Sequence, residues 1–270
     1  MANFHVLSGA GDKLDMPVVR QIQLSDLGDA LRLGARDFWE KPSHYVLLVL
    51  IYPLVGVVLA IWMSGYNTWT LLYPLIGGFA LVGPFAALGL YEMSRRIETG
   101  QSTNWVDAFQ VLRSPAIGSI LAVGAMLFVL FTLWLTSAQA LYESLFSASA
   151  PRSFTALFDQ VFTQPGGMTL LLVGTGLGAI FAFITLCTTV IAFPLMLDRD
   201  VGAYVAIETS FRAVMANLVP MLAWGIIVGL ELFIGSALLF VGLAVIIPIF
   251  GHATWHLYRK VIEPASQLRQ

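Results

Sequence analysis

Charge is what this chain has least of. Only 11% of its 270 residues are Asp, Glu, Lys or Arg, against about 25% in soluble domains, and that shortage excludes an ordinary soluble fold. Cysteine is almost missing too. Cys187 stands alone inside an apolar segment, so neither a disulfide framework nor a thiolate metal site can be assembled. A net charge of −2 without a basic stripe offers nothing to nucleic acid. Catalytic motifs are absent as well: there is no nucleophile elbow, phosphate loop, paired-carboxylate cleft or His-Glu-x-x-His helix. Gly174-Thr175-Gly176-Leu177-Gly178 is no nucleotide fingerprint, because no strand precedes it. The expectation is therefore a protein that is not an enzyme and carries no cofactor. Residues 1–43 are polar and lack the early apolar core of a cleaved signal, so the first span is expected in the mature protein.

Apolar residues are what the chain has in abundance: 58% are hydrophobic and mean hydropathy is +0.81. A helix needs about 20 mostly apolar residues to span a bilayer. Tyr45–Met63, Trp69–Leu90, Ala116–Leu135 and the long Met168–Leu197 meet that need, and Leu218–Tyr258 is apolar almost throughout. Of fourteen Lys and Arg, all but Arg152 fall on one side when these segments are threaded alternately through a membrane. Cytoplasmic segments hold the basic excess. For the 199–212 loop and the C-terminus to share that side, Leu218–Tyr258 must be a tight hairpin, with its turn expected near Gly235–Ser236. The expected fold is all-α: six transmembrane helices as three hairpins, multi-pass in a bacterial inner membrane, with both termini cytoplasmic.

Each hairpin follows a short amphipathic stretch: Asp29–Arg36, Asp107–Arg113 and Ala206–Arg212. Each stretch places an acid early and an arginine late, complementing the helix dipole, with helical apolar spacing suited to the membrane interface. Pro84 and Pro248 each lie eleven residues before an arginine, Arg95 and Arg259. The pattern suggests a parallel threefold repeat over 24–100, 101–201 and 202–260 within a membrane domain of residues 24–260. A polar segment, 1–23, precedes that domain and a tail, 261–270, follows it. The outer loop, roughly residues 136–167, holds Phe154, Phe158 and Phe162 at four-residue spacing behind Ser153, a plausible N-cap. This is expected to be a helix on the outer leaflet, an anchor or a docking face for a partner.

Three further residues stand out. Glu231 is the only acid in the last hairpin, and an ionisable group inside a span costs about 2.5–3.5 kcal/mol. It is a candidate ion or proton site, against plainer roles in bundle hydrogen bonding or headgroup contact. His252 and His256 share one helix face and could ligate a metal, but Trp255, Tyr258 and Arg259 beside them read as an interfacial aromatic belt. Gly174 with Gly178, and Gly225 with Gly229, read as helix-packing positions. Pro53, Pro74 and Pro248 are expected to kink their helices.

Four stretches taken together carry a resemblance: Gly34-Ala35-Arg36-Asp37-Phe38 with Pro42, Gly83-Pro84 through Arg95-Arg96, Phe193-Pro194 with Asp198-Arg199, and Gly251 through Arg259. They resemble a family of mainly proteobacterial integral membrane proteins, domain of unknown function 2189, over about Pro17 to Lys260. Some members are labelled putative cytochrome c oxidase subunit I. Four histidines and six spans do not supply that subunit's six ligands and larger fold. The resemblance implies instead an accessory or assembly protein, one that could act near a respiratory complex. Two function classes follow: a non-enzymatic scaffold whose partners are the lipid bilayer and other inner-membrane proteins or further copies of itself, and a small-solute transporter or channel using Glu231.

Overall fold

A computed structural model describes residues 16–40, 87–146, 151–237 and 241–264, with isolated positions between 58 and 85. The expected first span, Tyr45–Met63, lies largely outside the described residues, and Trp69–Leu90 is described in part. His44, Pro53 and both chain ends also lie outside them. The described residues are helical apart from loops and one isolated bridge between Val19 and Ile262. Besides a short 3₁₀ turn at Trp69–Leu71, the helices are α1 (Leu24–Glu40), α2 (Leu88–Glu98), a 3₁₀ helix η1 (Trp105–Arg113), α3 (Ile117–Phe146), α4 (Phe154–Thr163), α5 (Gly167–Thr189), α6 (Ala192–Asp198), α7 (Ala203–Ala216), α8 (Leu218–Ala237) and α9 (Leu243–Val261). Three segments among them are long and apolar enough to cross a membrane: Ile117–Phe146, Gly167–Asp198 and Leu218–Ser236.

Two expected boundaries move. Helix α3 continues past Leu135 to Phe146, so the outer loop is shorter than 136–167. At ~1.5 Å per residue, its thirty residues reach about 45 Å, beyond a ~30 Å hydrocarbon core. Its polar end is held in helix by Thr136, which donates to the Thr132 carbonyl at 2.9 Å, and is joined to α4 by the Tyr142–Gln160 bond of 2.7 Å. The hairpin turn also shifts. Gly235 and Ser236 are helical, and the turn follows at Val241–Gly242. Ser236 Oγ donates back to the Leu232 carbonyl at 2.8 Å, which keeps the last turn wound. Gly235 instead serves a close approach, since a Cβ on Gly242 would sit 2.8 Å from Gly235 Cα.

The long fourth segment is interrupted at Val190–Ile191, between α5 and α6. Pro194 explains the break: it has no N–H for the Val190 carbonyl, and its ring crowds that carbonyl. The freed Ile191 N–H is accepted by Ser210 Oγ of α7 at 3.2 Å, as a membrane helix break requires.

The three amphipathic stretches do form helices, α1, η1 and α7; α1 buries Leu27, Ala30 and Phe38 in protein, whereas η1 leaves Val106, Phe109 and Leu112 exposed and α7 leaves Phe211 and Met215 exposed, as helices at an interface would. Helix η1 packs on α2, α7 packs on α5 and α6, and α1 packs on α9. The α1–α9 crossing is tight. A Cβ on Gly34 would lie 2.5 Å from the Ala253 backbone nitrogen, so only glycine fits there. Helices α2, α6 and α9 also meet one another. Trp224, Phe193, Trp255 and Tyr258 fill the space between helices as fully buried side chains.

Candidate functional site

The only acid on the buried face of α1 is Asp37. It follows Leu27, Ala30 and Gly34 at helical spacing, and it is just 6% exposed. A carboxylate at such a position needs partners to offset its desolvation, and two other helices supply them. Ser94 of α2 donates to Asp37 Oδ2 at 3.0 Å, and His256 Nε2 of α9 approaches the same oxygen at 2.8 Å. Ser94 Oγ also meets His252 Nδ1 at 2.6 Å. A hydroxyl has one hydrogen. Since Ser94 gives it to Asp37, His252 Nδ1 must be the donor in the third bond. The order of donation runs from His252 through Ser94 to Asp37, and from His256 to Asp37. His252 is fully buried and Ser94 is 1% exposed.

This arrangement is a clasp, not a catalytic triad. The serine proton is committed to a carboxylate and its oxygen is closed to substrate, so Ser94 is no nucleophile. The His252/His256 pair, a candidate metal site from spacing alone, spends one ring nitrogen of each residue on protein. Among the described residues no group of three or more His, Cys, Asp or Glu is placed to hold a metal ion.

A belt of ion pairs continues from the clasp. Buried Glu92 takes both Arg95 and Arg96, at 2.8 and 3.1 Å, and Arg96 also reaches Asp107 of η1 at 3.2 Å. Arg259 bridges Glu98 of α2 and Asp198 of α6, at 2.9 and 3.0 Å. Trp255 Nε1 donates to Glu98 at 2.9 Å and Tyr258 donates its hydroxyl to Asp198. Both rings are fully buried, which corrects the reading of an interfacial aromatic belt. Amphipathic aromatics suit a wet interface, but they suit equally a covered site with one acceptor, and α1 and α2 provide the cover. Asn217 completes this end. It accepts from the Ile22 N–H at 2.8 Å and donates to the Arg20 carbonyl at 3.0 Å.

The other predicted residues stand apart from the clasp. Glu231 is half-buried on α8, with no hydrogen bond or ion pair among the described residues. Phe154, Phe158 and Phe162 are more than half exposed, their adjacent rings 6.4 and 4.4 Å apart, while Gln160 of the same helix turns inward. Ser153 caps that helix by accepting from the Ala156 N–H at 3.1 Å. Gly174 meets Leu141 and Gly178 meets Trp134, so this pair serves packing within the chain. Asp37 and Ser94 escaped sequence reasoning, although an acid on the apolar face of α1 was a usable signal.

Comparison with known families agrees with this architecture. Residues 72–198 match the model described as a predicted integral membrane protein, DUF2189. That is the family the sequence resembles, and the protein is an integral membrane protein with apolar helices. No curated protein and no solved structure matches the chain.

Proposed function

We propose that this is a bacterial inner-membrane protein of six spans in three hairpins, with both termini cytoplasmic, serving as a non-enzymatic scaffold, accessory or assembly protein for other membrane proteins. The packing of η1, α7 and α1 supports a threefold repeat. Each contacts the second helix of the unit before it, with α1 closing onto the last. Three copies of one hairpin unit arranged in a ring would pack in this way.

One observation carries the scaffold role: the charged groups where α2, α6 and α9 meet are spent largely on one another, while Glu231 stands half-buried on α8 without an ion pair among the described residues. A transport path needs polar groups lining an enclosed route. Here Trp224, Trp255 and Tyr258 occupy the interior, and the outward faces offer apolar and aromatic surface instead. Purification in mild detergent, followed by identification of co-purifying proteins, tests the reading. A defined membrane protein is expected in stoichiometric amount, and it should be lost when Phe154, Phe158 and Phe162 are replaced by Ser. Repeated recovery of the chain alone as a monomer would sink the scaffold.

Transport is the second reading, and Glu231 without a partner favours it. Solute flux into proteoliposomes that disappears in Glu231→Gln would establish transport in place of the scaffold.

A further inference from the structure

We propose that η1 and α7 lie flat in one membrane leaflet, with two rows of apolar side chains set among lipid acyl chains, while the third amphipathic helix, α1, faces water. The rows are Val106–Phe109–Leu112 and Tyr204–Phe211–Met215, and their partner is the bilayer itself. Nothing in this assignment depends on the scaffold role.

Helix geometry makes the rows. A 3₁₀ helix has three residues per turn, so positions three apart eclipse one another. Val106, Phe109 and Leu112 of η1 therefore form one straight line, and each is about half exposed or more. The other side of η1 meets protein: Val111 is buried, and a Cβ on Gly89 of α2 would lie 2.9 Å from that of Ala108. In α7 the spacing is that of an α-helix, where i, i+7 and i+11 share a face. Tyr204, Phe211 and Met215 are exposed there, while Val205, Ala206, Ala213 and Val214 are buried behind them.

Chain connectivity says what covers these rows. Arg113 ends η1 four residues before α3 begins at Ile117, and Ala216 ends α7 two residues before α8 begins at Leu218. An extended chain spans at most about 3.6 Å per residue, so the helix ends lie within roughly 14 and 7 Å of those two segments. Both segments are of membrane length. They expose apolar side chains close to their starts, Leu121 in α3 and Leu218 with Val219 in α8. The interfacial layer on each side of a bilayer is about 5–8 Å deep. The rows thus continue the lipid-facing surface of α3 and α8, at the level where in-plane helices bury an apolar face. One cavity lined by both Arg113 and Asp200, three residues ahead of α7, sets the two helices at the same end of the bundle.

Helix α1 departs from this pattern. Its outward face carries charge, with Arg32 paired to Asp29 at 3.6 Å and Arg36 to Glu40 at 2.8 Å. Leu24 and Trp39, at its two ends, are its only exposed large apolar side chains. Burying such a face in lipid would strip its charges of water. Of three stretches alike in sequence, two therefore face the membrane and one is a cover on the aqueous side.

Nitroxide labelling tests the assignment. Buried Cys187 is first replaced by Ala. Labels are then placed one at a time through Leu112→Cys, Phe211→Cys, Arg32→Cys and Leu222→Cys, the last an exposed position within α8. The whole protein is reconstituted in phosphatidylcholine vesicles. Collision of each label with oxygen, which concentrates in lipid, is compared with collision with a water-soluble nickel chelate. The oxygen-to-nickel ratio at positions 112 and 211 should exceed that at 32 several-fold and approach that at 222. Nickel access at 112 and 211 equal to that at 32 would place the rows in water. Labels reached by neither reagent would place them under protein, a second copy included. Either result overturns the proposal. Val106→Cys and Met215→Cys report on the same rows should a first-choice variant fail to fold.

Discussion

The two ends of the molecule are built on different chemistry. Around α2, α6 and the last turns of α9, ion pairs and hydrogen bonds join helices far apart in sequence. Around α4 and the upper turns of α3, contact is chiefly apolar. Trp134 packs at 5.8 Å on Phe181 and is admitted by Gly178, and the phenylalanines of α4 point outward. Lipid tails are as apolar as leucine, so hydrophobicity does little to choose one helix neighbour over another. The contrast teaches where the arrangement is specified. The charged end selects which helices meet, and the apolar end fills the space that choice leaves.

The strongest way to break this asymmetry is Asp37→Ala. It leaves Ser94 and His256 as buried donors without their acceptor and should cost about 3 kcal/mol, read as a lowered unfolding midpoint in detergent. An unchanged midpoint would mean the clasp does not hold the end together. Gly34→Val comes next. Its side chain meets the Ala253 backbone, which cannot swing aside, and overpacking of this kind costs about 1–3 kcal/mol. Loss of the 2.8 Å Asp37–His256 contact with α1 still helical would show that the crossing, and not the helix, has failed.

A smaller effect is expected from pH at the start of α1. The Gln23 N–H, and then Lys260, hold the Asp26 carboxyl below its usual value of 3.8, while Asp26 chiefly raises Lys260 above its usual 10.5. A lowered acid stabilises the fold above 3.8 and loses that contribution as pH falls through its lower folded value. A raised base contributes below 10.5 and loses it as pH climbs through its higher one. The strap is therefore intact across the neutral range. Stability measured from pH 5 to pH 2 should show a loss that Asp26→Asn lacks. The smallest effect belongs to the apolar end: replacing Phe154, Phe158 and Phe162 by Ser should alter stability in detergent by about 0.5 kcal/mol or less, since exposed positions contribute little to the fold. A large loss would show that α4 seats its aromatics inside the bundle.

Legibility in the sequence followed the range of the interactions. The three membrane-length segments were readable because bilayer insertion is a local sum over about 20 residues. The cap at Ser153 is local too, whereas the break near Pro194 went unread inside Met168–Leu197. The clasp is not, since Ser94 bonds to residues 57 and 158 positions away, and no periodicity encodes that pairing. Trp255 and Tyr258 were misplaced because the same side chains suit an interface and a covered site alike. The upper turns of α3 looked like loop because Thr136, Gln139 and Glu143 are polar. Yet Thr136 bonds within its own helix, and Gln139 donates to Glu143 at 2.7 Å.

The seam between Val18–Arg20 and Val261–Glu263, where backbone groups pair at 2.7 and 3.1 Å, bears on how the protein is made. Helix α1 leaves the ribosome early, but its partner α9 is translated about 200 residues later. At roughly 5–20 residues per second, α1 then waits on the order of 10–40 s with Asp37 unmatched. The pairing of α1 with α9 therefore cannot form until the residues from Leu243 onward have been made. A nascent chain stalled before residue 243 should leave α1 open to protease, and release of the full chain should protect it.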